Sequence, residues 1–466
     1  MAMASIEKKI EKALSSGDER KAIKLCEKLH PADAAAVFES LDDAERQRFA
    51  EYISTDAITL IASFLPPAEA VDLLNNLKGL DQSKILNDLP DDVTVDLLQE
   101  FDPAERQGYF LKLSDHKKEI AKNLLQFPEE SAGGRMTTAV ATVRADMSVR
   151  EAIDSLAEKR EETELLSRIY VVDDQQHILG KIRLRDLTFN PVEMVVRDFM
   201  DDEQLSISAY ADQEEAVQMM AKYDLLALPV VDPDQRLLGI ITYDDAMEIQ
   251  EEESTEDIHK AAAIGGSHED EGYLRSPVWT QLKRRFAWVF FLAVLAILSG
   301  LIIFSYEQLL GKCFLLAVFM PMIVATGGNT GAQSATMVIR AMSLGEFKPT
   351  SFFEITWKEL RTGLLMGSLL GLSIAGVGYL VIHFLLEPTG AVEIPAGYSL
   401  ERILLTVGLA LTAQVACSTL LGAALPMLAS AIKMDPAVVA SPAITTVVDV
   451  LGLFIYFGLA AILLGL

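Results

Sequence analysis

The chain has 466 residues, with 40 Lys and Arg against 67 Asp and Glu, yet half of it is hydrophobic and its mean hydropathy is +0.26. The two properties separate along the sequence: residues 276–466 carry 10 basic and 9 acidic side chains, which leaves 30 and 58 for residues 1–275. That division excludes a single globular enzyme domain and a chain built mainly of disorder, and an acidic half that repels phosphates speaks against nucleic acid as a partner.

The N-terminus, Met1-Ala-Met-Ala-Ser-Ile-Glu-Lys-Lys9, lacks the apolar core of a signal peptide, so the acidic half is expected in the cytoplasm. Residues 5–127 read as helical and solenoid-like. Helices restart at Leu29-His-Pro-Ala-Asp33, Leu65-Pro-Pro-Ala-Glu69, Leu89-Pro-Asp-Asp92 and Phe101-Asp-Pro-Ala-Glu105, where Pro in a first turn with acids beside it is a start signal. Stacked helical pairs of this kind form a binding surface or a rigid arm.

An internal repeat follows at a spacing of 59 residues. The stretch from Val171 through Gly180 to Asp186 aligns with that from Val230 through Gly239 to Asp245. Each copy is preceded by a helical pattern, at 148–159 and 213–223, and reads as helix, strand, tight turn, strand, helix. This resembles the tandem CBS module, a paired α/β unit that senses ligands and often dimerises. Such pairs often bind adenine nucleotides through Gly-x-x-Thr-x-x-Asp. Gly239, Thr242 and Asp245 fit that spacing, and Arg183 stands at the Thr position of the first copy. ATP at the pair is therefore one expectation.

The segment from Asp244 to His259 is strongly acidic. As a helix it places Asp245, Glu248, Glu252 and Glu256 along one stripe, with like charges four apart at Glu252/Glu256 and Glu253/Asp257. Such pairs cost a few tenths of a kcal/mol each. Divalent cations bridging the carboxylates would relieve that repulsion; a solvated charged helix is the alternative.

Five apolar runs, at about 286–305, 313–341, 361–386, 403–432 and 437–464, are each long enough to cross the ~30 Å core of a bilayer. Lys283, Arg284, Arg285, Arg340, Lys348, Lys358, Arg361 and Lys433 flank them on one side and only Lys312 and Arg402 on the other. The acidic half and these loops are thus expected in the cytoplasm and the C-terminus outside. Asp449 reads as the sole acid deep in a span, and no Lys or Arg lies deep enough to pair with it. A carboxylate there costs several kcal/mol unless water or a cation meets it. The block Gly327-Gly-Asn329-Thr-Gly331-Ala-Gln333-Ser334 means close helix packing or a polar lumen. Asn329 and Gln333, four apart on one helical face, favour the pore wall. Pro442, preceded by Ser441, is expected to break the fifth span's hydrogen-bond ladder ahead of Asp449 and free a carbonyl for an ion or its water. Cys26, Cys313 and Cys417 are isolated, which suggests neither a disulfide framework nor a thiolate zinc site.

Taken in order, these pieces resemble the MgtE family of magnesium channels or transporters over essentially the whole chain. The motifs that carry the resemblance are the Glu130-Ser-Ala-Gly-Gly-Arg-Met-Thr137 entry to the CBS pair, Ser254-Thr-Glu-Asp-Ile-His259, the Thr326–Ser334 block, and Asp435-Pro436 with Asp449 downstream. The resemblance implies a multidomain membrane protein with an all-α superhelical N domain (1–130), α/β tandem CBS domains (131–198 and 199–249), an acidic connecting or plug helix (250–275) and a five-helix transmembrane bundle (276–466). It implies a homodimer in a bacterial plasma membrane with the pore on the two-fold axis, Asp449 as pore aspartate, and Asn329, Gln333 and Ser441 along the path. It implies regulatory Mg2+ sites among Asp92 and Asp96, Asp212, Glu214, Asp224 and Asp245, Glu248, Glu253, Glu256 and Asp257, and Asp435. Plentiful Mg2+ would bridge these acids and close the pore, and scarce Mg2+ would let them repel and open it. Two departures stand out. Ser441 occupies a position where the family often has Asn, which bears on admission of Mn2+, Co2+ or Ni2+, and Glu248 stands where some members carry Asp.

Three other function classes compete. A membrane-anchored nucleotide sensor would leave cation flux indifferent to Asp449. An intramembrane metalloenzyme lacks an HExxH motif, and His383 is the sole histidine in a span. An anion channel would be opposed by Asp449 in its pore.

Overall fold

The computed structural model describes residues 9–10, 13, 18–76, 82–159, 167–202, 205–265, 276–343, 346, 351–387, 394, 398–436 and 441–465. The chain divides into two compact units, one ending at Glu253 and the other beginning at Ser254. That boundary falls inside a helix.

The first unit opens with short helices: α1 (Glu19–Cys26), α2 (Pro31–Ser40), α3 (Asp43–Tyr52), α4 (Thr55–Ala62), α5 (Pro67–Asn76), α6 (Gln82–Asp88), α7 (Asp91–Glu100), α8 (Pro103–Phe110) and α9 (Asp115–Leu124). Four of them begin where Pro and acids mark a start, at Pro31, Pro67, Asp91 and Pro103. Other starts are side-chain caps: Asp42 and Glu45 form a reciprocal capping box, and the Ser54 and Ser114 hydroxyls accept the Ala57 and Lys117 N–H groups in the first turns of α4 and α9. Each helix buries one stripe, with Phe38, Leu74, Leu86 and Leu98 almost fully enclosed.

The repeat becomes two three-stranded sheets of the same topology. In the first, β1 (Thr142–Arg144) runs parallel to β2 (Ile169–Val172), which pairs antiparallel with β3 (Ile178–Ile182). In the second, β4 (Ile207–Ser208), β5 (Ala227–Val231) and β6 (Leu237–Thr242) repeat the order. The 59-residue period extends to backbone detail. Register shifts at Val171/Val172 and again at Val230/Val231, and the hairpins turn through left-handed Gln176 and Gln235, at φ 66° and 65°. Asp173 and Asp232 accept the N–H groups four residues on, which fixes each turn. Helix α10 (Val149–Glu158) follows β1, α11 (Leu184–Phe189) follows β3, and α12 (Gln213–Tyr223) follows β4.

Helix α13 (Tyr243–Ala261) then carries the acidic segment. It begins at the end of β6, earlier than the expected 250, so Asp245 and Glu248 lie on the same helix as Glu256 and Asp257. Residues 266–275 of the expected plug lie outside the described residues.

Five further helices are long and apolar enough to cross a membrane: α14 (Val278–Ser305), α16 (Leu315–Ser343), α17 (Phe352–Val381, extended by a π-turn to Leu386), α18 (Leu400–Ala431) and α19 (Ser441–Leu464). The short α15 (Glu307–Lys312) lies between the first two. Their number matches the sequence reading; their limits correct it. Helix α14 starts eight residues early and takes in Lys283, Arg284 and Arg285, and α17 starts at Phe352 and takes in Lys358, Glu359 and Arg361. Helix α18 is the most enclosed, whereas α14 has no buried residue. Close packing of α17 on α18 rests on Gly363, Gly367 and Gly371, spaced by four. A Cβ on Gly367 would stand 2.9 Å from the Cα and from the carbonyl oxygen of Thr412.

Candidate functional site

Helix α19 places Asp449 two turns past its start, against the glycine block of α16. A Cβ on Gly328 would stand 2.9 Å from Thr445 Cγ2 and 3.5 Å from Asp449 Oδ1, so the glycine makes room for the carboxylate. Asp449 Oδ1 is buried with no hydrogen-bond partner. The block resolves into two faces. Gly327, Gly328 and Gly331 are buried and carry the helix contacts, while Asn329 and Gln333 are both exposed. Packing and a polar face are therefore combined in one segment.

The structure bears on two sequence expectations here. Pro442 lies in the first turn of the described α19, where no intrahelical N–H is needed, and its carbonyl accepts the Thr446 hydroxyl at 3.0 Å. Residues 437–440, whose carbonyls the expected break would free, lie outside the described residues. Ser441 opens the helix, and its side chain lies outside what the structure describes. Asp449 keeps its place as the acid deep in a span, but a second acid stands near the start of another membrane-length helix. Glu359 is half-buried on α17, and its Oε2 accepts the Ser334 hydroxyl at 2.9 Å, while the Thr419 hydroxyl donates to the Glu359 carbonyl at 3.2 Å. The signal was present: Glu359, Gly363, Gly367 and Gly371 form one stripe four residues apart, and reading that stripe back by one turn reaches the acid. Gln414 of α18 is a second omission. It is the lone amide of its span, and its Nε2 donates to the Val448 carbonyl at 3.0 Å.

On α13 the acids meet the protein's own donors. Lys260 Nζ lies 2.6 Å from Glu256 and 2.8 Å from Asp435. Burial works against the ammonium, but hydrogen bonds to Asp435 and Glu256 outweigh it and raise its pKa. Asp257, exposed beside them, feels Asp435 as a like charge. One turn back in the first unit, Glu252 is ion-paired to Arg135, Arg135 Nε donates to Gln213 Oε1 at 2.9 Å, and Gln213 Nε2 donates to Glu253 at 2.5 Å. The repulsion that the i,i+4 acids would create is thus relieved at Glu252, Glu253 and Glu256 by side chains of this chain.

Asp96 of α7 belongs to the same group. Burial pushes its carboxyl up to about 7; Arg135 opposes that, and Glu252, Glu129 and Glu248 add to it. Asp92, one turn earlier, lies near Lys117, whose pKa is lowered by burial although Asp91 pulls the other way. Asp91 also accepts the Thr138 hydroxyl at 2.8 Å, which ties α7 to the segment that leads into β1.

The remaining acids have local roles. Asp212 is the N-cap of α12 and accepts the Glu214 N–H at 2.8 Å, Glu214 accepts from Gln218, and Asp224 ends the helix in a left-handed conformation at φ 51°. Asp245 caps α13. Burial raises its carboxyl, and its bonds from the Thr242 hydroxyl and N–H oppose the rise. Thr242 is 2 % exposed and Gly239 lies against the Thr137 carbonyl, so the Gly-x-x-Thr-x-x-Asp residues are engaged within the fold. Among the described residues, no three His, Cys, Asp or Glu side chains are grouped closely enough to hold a metal ion.

Comparison with known proteins adds identity to this geometry. Residues 320–459 match a family model described as the divalent cation transporter MgtE, residues 8–130 the MgtE intracellular N domain, and residues 132–192 and 196–252 the CBS domain. The chain is 32% identical to the magnesium transporter MgtE of Thermus thermophilus over 98% of each chain. It is 29% identical to the magnesium transporter MgtE of Bacillus subtilis over 93% of this chain and 92% of that one. A crystal structure of the cytosolic domain of the Mg2+ channel MgtE in complex with ATP is 31% identical and covers 52% of this chain and 98% of that chain, with a TM-score of 0.49.

Proposed function

The chain belongs to the MgtE family of divalent cation transporters, and from that premise we propose that it carries Mg2+ across a membrane along a path lined by Asp449. The observation that carries the proposal is the buried, unpartnered Asp449 Oδ1 on a membrane-length helix, opposite a glycine. A carboxylate in that setting calls for a cation or its water. Mg2+ gives up its water reluctantly and is usually held through it. Asp449 and the exposed amides of Asn329 and Gln333 would therefore address a hydrated ion, and selection would follow from how its octahedron fits the opening. The same chemistry leaves Mn2+, Co2+ and Ni2+ as competing cargo, and Ser441 is the residue most open to tuning that ranking.

The reading has a regulatory half. Residues 1–130 would form an N domain, 131–198 and 199–249 the CBS pair, and 250–275 a plug ahead of the membrane domain at 276–466, with the acidic parts in the cytoplasm of a bacterium. Mg2+ binding among Asp92, Asp96, Asp212, Glu214, Asp224, Asp245, Glu248, Glu253, Glu256, Asp257 and Asp435 would favour the closed state, because the chain's own donors relieve the repulsion among those acids only in part. A second copy would supply the other wall of the pore. ATP at the CBS pair would act as a modulator, and release of Thr242 from Asp244 and Asp245 would be its structural requirement at that motif.

The test is dye-monitored Mg2+ uptake into liposomes holding the purified full chain. Asp449→Asn should lower uptake by at least about tenfold, since several kcal/mol of ion stabilisation is removed. Undiminished uptake by a well-inserted variant would overturn the assignment and favour a nucleotide sensor held in the membrane by its helices.

A further inference from the structure

Gln414 lies midway along α18 with its side chain in a slot between two glycines. A Cβ on Gly327 of α16 would meet the amide from one side, and a Cβ on Gly452 of α19 would meet it from the other. The residue is 1 % exposed. Its Nε2 donates to the Val448 carbonyl at 3.0 Å, and its Oε1 is buried with no donor in reach. A buried acceptor left without a donor costs about 1–3 kcal/mol, so a Leu or Met would serve bare helix packing better. The amide is held in place by a specific fit and not by general packing.

The neighbours of that fit are the path residues themselves. Val448, whose carbonyl Gln414 holds, precedes Asp449. Gly327, which forms one wall of the slot, precedes Gly328, the residue against Asp449 Oδ1. A carbonyl has a second lone pair, so the Val448 oxygen can accept from Gln414 besides its place in the helix ladder. One side chain therefore fixes α19 against α16 at the level of the carboxylate.

We propose that Gln414 is a positioning residue for the ion path: its amide, locked between Gly327 and Gly452 and bonded to the Val448 carbonyl, sets the height of Asp449 against the glycine block and thereby the ranking of divalent cations. The inference rests on the reading of Asp449 as a path residue. Selection among hydrated ions depends on small differences in opening and hydrogen-bond geometry. Loss of the amide bond lets α19 slide relative to α16, and the carboxylates then admit ions of other hydrated size.

The experiment measures Mg2+ and Mn2+ uptake in liposomes, each normalised to inserted protein, for wild type, Gln414→Met, Gly452→Ala and Asp449→Asn. Gln414→Met keeps length and apolar bulk but removes the donor. Gly452→Ala keeps the amide and displaces it. In both, the Mg2+ to Mn2+ ratio should change by about fivefold, the factor that matches about 1 kcal/mol for one hydrogen bond. A merely structural role would lower the amount of folded protein and leave the ratio alone. Either glutamine-slot variant that inserts decides the matter, and a ratio within twofold of wild type overturns the proposal. If Asp449→Asn itself transports normally, the underlying path assignment fails instead.

Discussion

Lys260 gives the regulatory proposal a quantitative test. Its ammonium bridges Glu256 at 2.6 Å and Asp435 at 2.8 Å, where the three side chains are each about 30 % exposed, at 29 %, 27 % and 32 %. Partly exposed pairs of this kind contribute up to about 1 kcal/mol each, and one ammonium shared between two carboxylates contributes about 1 kcal/mol in all. A regulatory Mg2+ that takes Glu256, Asp257 and Asp435 has to displace that ammonium or share its ligands. Lys260→Met removes the competitor, so the Mg2+ concentration for half-closure should fall by about fivefold. The same change removes the bridge present without Mg2+, so the variant should be more open in chelator. Current through planar bilayers, recorded for full-length wild type and Lys260→Met across a cytoplasmic Mg2+ series, reads both effects, and Lys260→Arg should resemble wild type. A half-closing concentration for Lys260→Met that is unchanged or higher would refute the competition argument. Absence of any Mg2+ response in the wild type would refute the sensor itself.

Three further outcomes are expected. Asp96 has a folded pKa of about 7, above its ordinary 3.8, so the folded state holds a proton there that the unfolded chain releases above about pH 4. Its stabilising contribution is therefore present at low pH and lost as pH rises through 7. In chelator the melting temperature of the first unit should rise from pH 8 to pH 6, and Asp96→Asn should flatten that rise in differential scanning calorimetry. Gly367→Leu should prevent close approach of α17 and α18 and cost about 2 kcal/mol or more, read as loss of monodisperse protein in size-exclusion chromatography. Gly376→Leu on the same helix, where nothing lies within 4 Å, should be tolerated. Glu359→Gln retains an acceptor for Ser334 and should melt within a degree or two of wild type, whereas Glu359→Leu should lose about 1 kcal/mol in chemical denaturation.

Local signals carried most of the fold. Pro31, Pro67 and Pro103 start helices because a first turn needs no proline N–H, and the repeat that starts at Val171 and Val230 returns as two sheets with matching irregularities. Asp449 stands out in the sequence because an unpaired acid in an apolar run has few explanations. What Pro442 does depends on where the helix starts, which hydropathy places only within a few residues. Glu359 was hidden by the same uncertainty, since Lys358 and Arg361 made its turn look like a loop. Gln414 was illegible for a deeper reason. Its partners Gly327, Val448 and Gly452 come from two other helices, and no spacing within α18 announces them. Asp212 and Asp224 show the converse: acids singled out as metal ligands also fit as helix termini, and sequence alone cannot assign one carboxylate to both uses.

The basic residues at the acidic junctions change what the charge imbalance means. Lys117 lies by Asp91, Arg135 pairs with Glu252 beside Asp96, and Lys260 bridges Glu256 and Asp435. Each cluster therefore holds one cation of its own, and under the proposed regulation removal of Mg2+ would not leave bare carboxylates. The differential affinity that one ion gains from closure is reduced by whatever the resident cation already supplied. Moving a two-state gate from 1:99 to 99:1 takes about 5.5 kcal/mol of differential binding. At roughly 1–2 kcal/mol per half-neutralised junction, no single site is sufficient, and about three to six must act together. The proposed sensor would therefore need acids distributed over several elements, such as α7, α12 and α13, and the resident cations at Asp91, Glu252 and Glu256 would be one reason it needs so many.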